Sequence, residues 1–456
     1  MFKNFLLVAI AAVATVLWIL SHSLGRAPCT LGSIGCSDET TQDDGQAFRS
    51  LPKLDGNFSW CENRAEKPVF EREPQTWQEV TGRRVLVYSA YLDRREEIGG
   101  PLVRVIASGW QAAYNDVGDV YCNLWYEDFE PAVCGHRARY DLIYPSTKFP
   151  EMWVSHFILC RLPAAVDGSD AAPYALSVSA EPCGNASNHL LVLNRERQPE
   201  SDSFALCLPA LYGRFDDWTS IIELIEIHKL LGVDEITFYN YSASRPIGDV
   251  LRSYLGDPLE NVRVVQWHYP GELLTNYFEQ HAALNDCLYR SSRRHRYVAI
   301  GDIDEVIVPR RNDVMHRMMA ELARGDVGAY LFQHAYFRRN TTDTTAKPYL
   351  TTQQSLWRTD VVTPPGKIRC KSLYLAEKAL KANIHYPYQL VPGAREHIVD
   401  PDVGMLHHYR KDPMESFAKN PNDYRFIEDR YMRKFNEKLT EAVSRRIDEV
   451  ERMKYV

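Results

Sequence analysis

The sequence predicts an α/β protein with a mostly parallel sheet flanked by helices, preceded by a smaller β-rich unit and an N-terminal transmembrane anchor. Three observations indicate this fold class. An uncharged apolar run lies near the N-terminus, short β-branched and aromatic runs follow from Arg83, and strand-like and helix-like segments alternate from residue 204. Such alternation is typical of a parallel sheet covered by helices. A chain of 456 residues is long enough for two folded units.

The apolar run Phe5–Leu20 follows Lys3 and is close to the shortest length that spans a bilayer. A cleavable signal peptide is the alternative, because its apolar core is also short. Trp18 suits a membrane interface and favours an uncleaved anchor. The lysine before the run places the large C-terminal part in the lumen. The prediction is therefore a cytoplasmic tail over residues 1–4 and a signal anchor over residues 5–22.

Cysteines and glycosylation sequons agree with a location in the secretory pathway. The ten cysteines are an even number, compatible with disulfides whose pairing the sequence does not give. No Cys-x-x-Cys pair occurs, so a zinc ribbon or a redox motif has no support. The Asn-x-Ser/Thr sequons, which predict glycan sites, are at Asn57, Asn185, Asn240 and Asn340. A net charge of −7 gives no electrostatic case for binding nucleic acid.

The rest of the chain divides into regions of different composition and apolar periodicity. Residues 23–81 are polar without an apolar period and predict a mostly irregular stem. Runs such as "RRVLVYSAYLD" and "PLVRVIASGW" predict a β-rich accessory unit over residues 82–200. The main α/β domain is expected over residues 201–430, followed by a C-terminal helix over 431–456. Within it, "WTSIIELIEIHKLLG" has helical spacing and ends at Gly232 as a C-cap.

The stretch "YVAIGDIDEVIVP" carries three acids inside an apolar run that reads as one strand. In an extended strand Asp302 and Asp304 share one face, whereas Ile303 and Glu305 take the other. Adjacent carboxylates repel each other unless a cation lies between them. Mn²⁺ and Mg²⁺ take oxygen ligands and keep phosphates or water in their other positions. The motif therefore predicts a metal–diphosphate site at a strand end, and the alternative is acids that cap the strand or pair with arginines.

Five blocks in order resemble glycosyltransferase family 92 over about residues 204–412: "HKLLGVDEITFYNYS", "EQHAALNDCLYR", "YVAIGDIDEVIVP", "KSLYLAEKALKANIHYP" and "LHHYR". The layout is also similar to the nucleotide-sugar-binding half of a GT-A enzyme. The resemblance implies a GT-A-like fold, Mn²⁺ or another divalent cation, a UDP-sugar donor and a glycan acceptor. For the family it implies inverting transfer of galactose from UDP-galactose in a β1,4 linkage. The type II layout implies a Golgi membrane protein, and a homodimer is left open.

The resemblance also implies a metal site. Asp304 is the expected direct ligand, and Asp302 is expected to contact the ribose, or the metal through water. The third ligand is expected from "GMLHHYR", at His408 or at its neighbour His407. Glu305 is expected to orient its neighbours rather than to bind the metal.

Donor contacts follow from the same resemblance. The first strand end is expected to cradle uridine, with Tyr212 stacking on the base or, alternatively, packed as an ordinary aromatic residue. The further donor-binding candidates are Leu208, Pro209, Gln280, Asn285, Asp302 and Lys371. Alternatively, Gln280 and Asn285 tie their helix to the sheet. The alternative for Lys371 is a position on a solvated strand edge.

An inverting transfer needs a carboxylate that takes a proton from the acceptor hydroxyl. The candidates after the acidic motif are Asp343, Glu377 and Glu396, of which Glu377 is preferred. One alternative function is a catalytically inactive lumenal binding protein for glycans or nucleotides, because a fold does not guarantee activity. Another is a haloacid-dehalogenase-type phosphatase, since "DIDEV" fits its motif. The sequence lacks the acidic loop that such a phosphatase carries downstream.

Overall fold

The structure is a computed structural model. It describes residues 51, 54, 56–62, 66–110, 118–135, 137–144, 151–164, 172–196, 202–213, 215–255, 260, 262–339, 348–360, 369–411 and 425–453. Contacts divide the chain into Met1–Leu51 and Pro52–Val456, and the second unit contains the elements below. The predicted cytoplasmic tail and anchor lie outside the described residues. No helix among the residues just given combines the length and the apolar character needed to cross a membrane.

A ten-stranded, largely antiparallel sheet contains the first part of this unit. Its strands are β1 (Ser59–Trp60), β2 (Gln78–Glu79), β3 (Val85–Asp93), β4 (Leu102–Trp110), β5 (Tyr121–Trp125), β6 (Val133–Cys134), β7 (Arg139–Leu142), β8 (Trp153–Arg161), β9 (Ala175–Ser179) and β10 (Leu190–Leu193). The order is β1-β6-β5-β9-β10-β3-β4-β8-β7, and β2 pairs with β3. Since β1 and β2 fall within the predicted stem over residues 23–81, the sheet begins earlier in the sequence than expected.

The central strands of this sheet are buried on both faces. Alternate side chains of a strand point to opposite faces. In β3, Val87 and Ala90 pack in a core formed by residues of the β-rich part itself. Tyr88 and Tyr91 pack in a core shared with the second part of the unit. The β-rich region therefore presents a buried aromatic face to its neighbour instead of a solvated one.

A seven-stranded mixed sheet and a five-stranded sheet form the second part. The strands are β11 (Phe204–Leu211), β12 (Glu235–Asn240), β13 (Val262–Gln266), β14 (Tyr297–Ile300), β15 (Glu305–Pro309), β16 (Val327–Phe332), β17 (His334–Arg338), β18 (Trp357–Thr359), β19 (Lys371–Leu375), β20 (Ala379–Lys381), β21 (Gln389–Leu390), β22 (Arg395–Val399), β23 (Gly404–Arg410) and β24 (Phe426–Glu428). The larger sheet has the order β13-β12-β11-β14-β19-β16-β22, and the smaller one β15-β23-β17-β18-β24. A two-stranded sheet pairs β20 with β21.

Helices cover this second part. They are α1 (Trp218–Leu230), α2 (Arg245–Leu255), α3 (Gln280–Ser291), α4 (Met315–Leu322), α5 (Thr351–Gln354) and α6 (Asn436–Met453). Short 3-10 helices are Glu96–Ile98, Ala376–Lys378 and Tyr431–Phe435. The predicted C-terminal helix is thus present as the last of these turns followed by α6. The predicted helix before Gly232 is α1, and Gly232 has a φ of 91°, a left-handed conformation that suits its expected role as a C-cap.

The four strands β13, β12, β11 and β14 run parallel to each other, as the alternation of strands and helices predicted. Beyond β14 the sheet becomes mixed, because β19 pairs antiparallel with both β14 and β16. Helix α3 is buried along almost its whole length between the ten-stranded and the seven-stranded sheets. The chain is therefore a mixed α/β protein whose β-rich and α/β parts share one buried helix.

Disulfides join residues far apart in sequence. Cys61–Cys183 and Cys122–Cys160 lie in the β-rich part, and Cys207–Cys287 joins β11 to α3. Cys134 and Cys370 are buried and take no part in these three disulfides. A disulfide network was expected, but these pairings were open in the sequence.

Candidate active site

The stretch predicted as one strand is two strands in two different sheets. β14 ends at Ile300 and β15 begins at Glu305, and residues 301–304 form a turn between them. The single-strand prediction is therefore wrong, because β15 leaves the parallel sheet and pairs with β23. Gly301 at the start of this turn packs closely on β11, since a Cβ there would lie 3.1 Å from Leu206 Cδ1. We call residues 302–305 the acidic turn.

A cleft of about 810 Å³ opens where β11, β12 and β14 end. Open α/β sheets place their ligands at the carboxyl ends of parallel strands. The residues that line the cleft are Pro209, Ala210, Leu211, Tyr212, Phe215, Ser242, Ala243, Ile247, Tyr277, Gln280, Asp302, Ile303, Asp304, Glu305, Tyr336, Arg369, Ile384, His385, His408 and Arg410. The cleft therefore brings together Asp302, Asp304, Glu305, His408 and Tyr212, which the sequence singled out.

Asp304 and His408 meet in this cleft, as predicted. The Nε2 atom of His408 lies 3.3 Å from Oδ2 of Asp304, and its Nδ1 atom lies 3.1 Å from Oε1 of Glu305. Burial disfavours the charged imidazole, but these two carboxylates raise the pKa of His408 to about 9. Burial alone would raise the pKa of Asp304. The hydrogen bond and the charge of His408 instead hold this pKa below its ordinary value.

Lys371 lies behind the acidic turn and is fully buried. Its Nζ is 2.7 Å from Oδ2 of Asp302 and 3.1 Å from Oε2 of Glu305. Burial alone would lower the pKa of Lys371, but the charges of Glu305 and Asp302 raise it above its ordinary value. Lys371 is not among the residues that line the cleft. The prediction that it contacts the donor directly is therefore wrong. Lys371 neutralises the acids from the protein side.

Glu305 contacts both Lys371 and His408. The sequence placed it on the strand face opposite Asp304, but the turn lets all three acids border the cleft. Only 3% of its side chain is exposed, and its two oxygens face Lys371 and His408. This arrangement is compatible with the expected role of orienting neighbours. Asp302 and Asp304 are more open to the cleft, with 33% and 43% of their side chains exposed.

Among the predicted donor-binding residues, Pro209, Tyr212 and Gln280 line the cleft. Tyr212 is 40% exposed, so it is not an ordinary packed aromatic residue. Leu208 is buried in the core and does not line the cleft.

Asn285 is fully buried and ties α3 to the chain at Ala382. Its Nδ2 donates to the carbonyl oxygens of His281 (2.8 Å) and Ala382 (3.0 Å), and its Oδ1 accepts from the Ala382 amide (2.9 Å). The alternative of a structural tie is therefore the one that the structure favours for Asn285, and the expected donor contact is wrong.

His407 points away from the cleft, because adjacent residues of β23 face opposite sides. It is fully buried, its ring stacks on Phe337 at 4.1 Å, and its Nδ1 lies 3.1 Å from the Tyr409 hydroxyl. Its Nε2 accepts from Arg310 at 3.2 Å. His407 is therefore withdrawn as a metal-ligand candidate.

The preferred base candidate lies elsewhere. Glu377 is exposed in the 3-10 helix Ala376–Lys378 and lines a separate cleft with Arg95. This location does not suit a group that must reach an acceptor beside the acidic turn. Glu396 lies on β22, and it is also absent from the cleft lining. Asp343 lies outside the described residues.

A smaller cavity of about 300 Å³ adjoins the cleft at Asp304 and contains a further acid, Glu223. Both of its oxygens are engaged. Oε2 accepts from the Thr351 amide, and Oε1 accepts from the Thr352 amide and hydroxyl, each at 2.7 Å. Burial raises the pKa of Glu223. These bonds make Glu223 an anchor for the first turn of α5.

Sequence reasoning left several cleft residues without a role. Arg410 follows His408 in the "HHYR" block, and Arg369 belongs to an alternating basic run, so both had a signal in the sequence. Arg369 donates to the Tyr336 hydroxyl at 2.6 Å. Tyr277 had no signal, because an unusual backbone conformation brings it to the cleft.

The sequons differ in exposure. Asn57 and Asn185 are exposed, and Asn340 lies outside the described residues. Asn240 is only partly exposed at the end of β12. Its Nδ2 donates to Gln266 Oε1 at 3.2 Å, and its Oδ1 accepts from the Ala243 amide at 3.0 Å. A glycan would be attached to the Nδ2 atom that donates to Gln266 on a side chain that is only partly exposed, so the structure disfavours Asn240 as a glycan site.

Comparison with known proteins identifies the family. A model of glycosyltransferase family 92 matches residues 202–450, more than half of the chain, and the chain therefore belongs to this family. A curated relative, beta-1,4-galactosyltransferase galt-1 from Caenorhabditis elegans, is 23% identical over 191 residues, which are 40% of this chain and 44% of that protein. The match thus spans less than half of the relative's length.

Solved structures show weaker likenesses. The mannosyltransferase PcManGT from Pyrobaculum calidifontis, in complex with GDP-Man and Mn²⁺, is 13% identical over 47% of this chain and 58% of its own, with a TM-score of 0.28. Glucosyl-3-phosphoglycerate synthase from Mycobacterium tuberculosis, in complex with Mn²⁺, UDP-Glc and phosphoglyceric acid, is 14% identical over 47% of this chain and 74% of its own, with a TM-score of 0.25.

Proposed function

We propose that this protein is a metal-dependent glycosyltransferase with a GT-A-like catalytic domain. It transfers galactose from UDP-galactose onto a glycan acceptor, with inversion and in a β1,4 linkage. The observation that carries the proposal is the acidic turn at the ends of parallel strands, open to a large cleft and in contact with His408. The choice of galactose and of the linkage is supported by the family and by the name of the curated relative.

The donor set of the cleft fits a hard divalent cation such as Mn²⁺. Carboxylate oxygens of Asp302 and Asp304 border the cleft together with the imidazole of His408, and Mn²⁺ accepts both ligand types. Within the described part of the chain, no three His, Cys, Asp or Glu side chains are already arranged around a metal position. Asp302, Asp304 and His408 would hold the ion. When bound, the ion would supply positive charge that stabilises the departing diphosphate.

Cations of the chain itself suit a diphosphate. Arg369 and Arg410 line the cleft, and Arg side chains bind phosphate oxygens well. Lys371 offsets the charge of Asp302 from behind, which lowers the repulsion that a dianionic leaving group would meet. A volume of about 810 Å³ is large enough for a nucleotide sugar.

We propose that the acceptor base is a residue outside the part of the chain that the structure describes. Among the described residues, the carboxylates that line the cleft are those of the acidic turn. Glu377 is withdrawn by its position, so Asp343 remains the proposed base, in the role of taking the acceptor proton.

The cellular location also remains a proposal. We propose a single-pass type II Golgi membrane protein with a lumenal catalytic part. The three disulfides among the described residues support an oxidising compartment. N-terminal sequencing of the mature protein is expected to show an intact anchor. A mature chain that begins near residues 25–30 would show a cleaved signal peptide instead.

A donor panel tests the activity. The full chain is incubated with UDP-galactose, UDP-glucose or UDP-GlcNAc, a glycan library and Mn²⁺, and the products are measured by mass spectrometry. We expect transfer of galactose that a chelator abolishes and added Mn²⁺ restores. Transfer of another sugar would change the assigned donor. Absence of transfer together with intact Mn²⁺-dependent UDP binding would favour the inactive binding protein.

A further inference from the structure

Three consecutive residues before α3 have a left-handed backbone. Tyr277, Phe278 and Glu279 have φ angles of 47°, 54° and 60°. A residue with a Cβ atom is disfavoured in this conformation, and runs of such residues are rare. A segment of this kind persists only where its surroundings hold it. We call residues 277–279 the aromatic turn.

The ten-stranded sheet holds the aromatic turn through Glu279. This side chain is buried, and its Oε1 accepts from the Ser108 hydroxyl of β4 and the Thr275 hydroxyl, both at 2.8 Å. Its Oε2 accepts from the Ser155 hydroxyl of β8. The β-rich part of the chain therefore donates two of the three hydroxyls that bind this carboxyl group.

Further bonds fix the chain on either side of this clamp. The Trp153 amide of β8 donates to the Leu274 carbonyl oxygen at 2.8 Å. The indole Nε1 of Trp267 donates to the Phe278 carbonyl oxygen, also at 2.8 Å. The segment that leads into α3 is thus tied to the β-rich sheet and to the end of β13.

The hydrogen bonds of Glu279 come from neutral groups. Within the described ranges it forms no ion pair with a Lys, Arg or His side chain. Burial raises the pKa of Glu279, and the hydroxyls only partly oppose this. A buried acid without a cation is costly, and an apolar side chain would fill the same space at lower cost. The three hydroxyl contacts therefore indicate a role in fixing the backbone.

The clamp has consequences for the cleft. Tyr277 lines the cleft and is 57% exposed, and Gln280 directly after the turn lines it as well. The rings of Tyr277 and Tyr212 have centroids 6.3 Å apart. Phe278 supports Tyr212, because its ring lies 5.0 Å from that of Tyr212 and itself stacks on Tyr241 at 4.1 Å. Two exposed aromatic rings therefore stand side by side on the wall of the cleft.

We propose that Tyr277 and Tyr212 form a stacking platform for the base of the donor nucleotide, and that Glu279 is the positioning residue through which the β-rich sheet holds this platform. This inference rests on the proposed nucleotide-sugar function and adds residues that the sequence did not suggest. It gives the β-rich part of the chain a task in donor binding. Stacking of a base on an aromatic side chain is strong enough to change affinity about tenfold.

The test compares ligands with and without a base. UDP and inorganic pyrophosphate are titrated by calorimetry, in Mn²⁺, into the full chain and its variants. Tyr277→Ala and Glu279→Ala are expected to weaken UDP about tenfold and to leave pyrophosphate unchanged, since only UDP carries a base. Tyr277→Phe keeps the ring and Glu279→Gln keeps an acceptor oxygen, so both should bind UDP as the parent does. Tyr388→Ala removes an exposed tyrosine outside the cleft lining and serves as the control.

A double variant tests whether Glu279 acts through the aromatic turn. In the Tyr277→Ala background, Glu279→Ala should add little further loss of UDP affinity, because residues that act as one unit are not additive. Fully additive losses would overturn the positioning role. Equal weakening of UDP and pyrophosphate by Tyr277→Ala would overturn the stacking platform.

Two further outcomes are distinguishable. If Glu279→Ala does not fold, Ser155→Ala removes one hydroxyl donor more gently and should weaken UDP alone, whereas unchanged UDP binding would overturn the clamp. If the parent protein binds pyrophosphate and UDP equally well, the platform is overturned while the metal–diphosphate site stands. If the parent binds neither ligand in Mn²⁺, the proposed function itself fails.

Discussion

The cleft is bordered by two turns that are stabilised in opposite ways. The acidic turn consists of carboxylates paired with Lys371 and His408 and is partly open to solvent. The aromatic turn is held by one buried carboxyl group, Glu279, and by hydroxyl donors. Ion pairs are weakened by added salt, whereas hydrogen bonds from neutral hydroxyls are not screened in this way. The charged turn therefore lies where the cation is proposed to bind. The turn held by neutral donors lies where the nucleotide base is proposed to stack.

The largest expected effect concerns the acidic turn. Asp304→Asn removes one negative ligand from the proposed Mn²⁺ site, while the side chain keeps nearly the same shape. Sugar transfer should fall at least about 100-fold, because metal stabilisation of the developing charge is worth several kcal/mol. Transfer rates at saturating donor measure this effect. Asp313→Asn is the matched control, since Asp313 is 67% exposed and lies outside the cleft. Equal losses in both variants would break the proposed contrast.

The buried cation is the next test. Lys371→Met leaves Asp302 and Glu305 without the lysine that neutralises them, and Glu305 is almost fully buried. Breaking a buried pair by removing one partner costs about 3–5 kcal/mol. Urea unfolding should show a loss near the lower figure, because Asp302 can turn to solvent. Lys438→Met, an exposed position on α6, should change stability by less than about 0.5 kcal/mol. A Lys371→Met protein as stable as its parent would contradict the charge balance described here.

The two turns also differ in how far the sequence predicts them. The parallel strands and α1 with Gly232 follow from periodicity and capping, and the placement of Asp304 and His408 in one site follows from the resemblance to the family. The aromatic turn does not, because its left-handed backbone depends on Ser108 and Ser155, more than a hundred residues away in sequence.

The errors within the acidic motif have a similar cause. Periodicity treated "YVAIGDIDEVIVP" as one strand, since nothing local shows that β15 pairs with β23 in another sheet. The break changed the position of Glu305. The two neighbouring histidines of β23 could be separated only by their packing, which buries His407 and leaves His408 on the cleft side. Base candidates chosen by sequence order alone had no spatial restraint, and Glu377 lies in another cleft.

A smaller effect is expected at the third proposed ligand. His408→Ala should raise the Mn²⁺ concentration for half-maximal rate by about tenfold, because metal affinity depends strongly on each group around the site. Glu305→Gln should shift it less, since its oxygens already face Lys371 and His408. His268→Ala, which removes an exposed histidine elsewhere, is the control. Mn²⁺ titrations of the transfer rate measure all three, and an unchanged requirement in His408→Ala would remove His408 from the site.

The smallest expected effect is a pH dependence of the metal-free protein. The pKa of His408 is raised from 6.5 to about 9 in the folded state. Its ion pairs therefore add stability that is fully present below pH 6.5 and is lost as the pH rises to about 9. Thermal unfolding of the metal-free parent should show a falling Tm across this window. His408→Ala should fall less steeply, and parallel Tm curves for the two proteins would contradict the assignment.

The proposed metal site is tested most directly by Mn²⁺-dependent binding of UDP, measured by calorimetry for the parent and for Asp304→Asn. We expect the parent to bind UDP with Mn²⁺ and much more weakly with a chelator present. We expect Asp304→Asn to lose the Mn²⁺-dependent part of the affinity while its unfolding curve stays that of a folded protein. Undiminished Mn²⁺-dependent UDP binding by Asp304→Asn would contradict the metal site, and the acidic turn would then be only a polar link between two sheets.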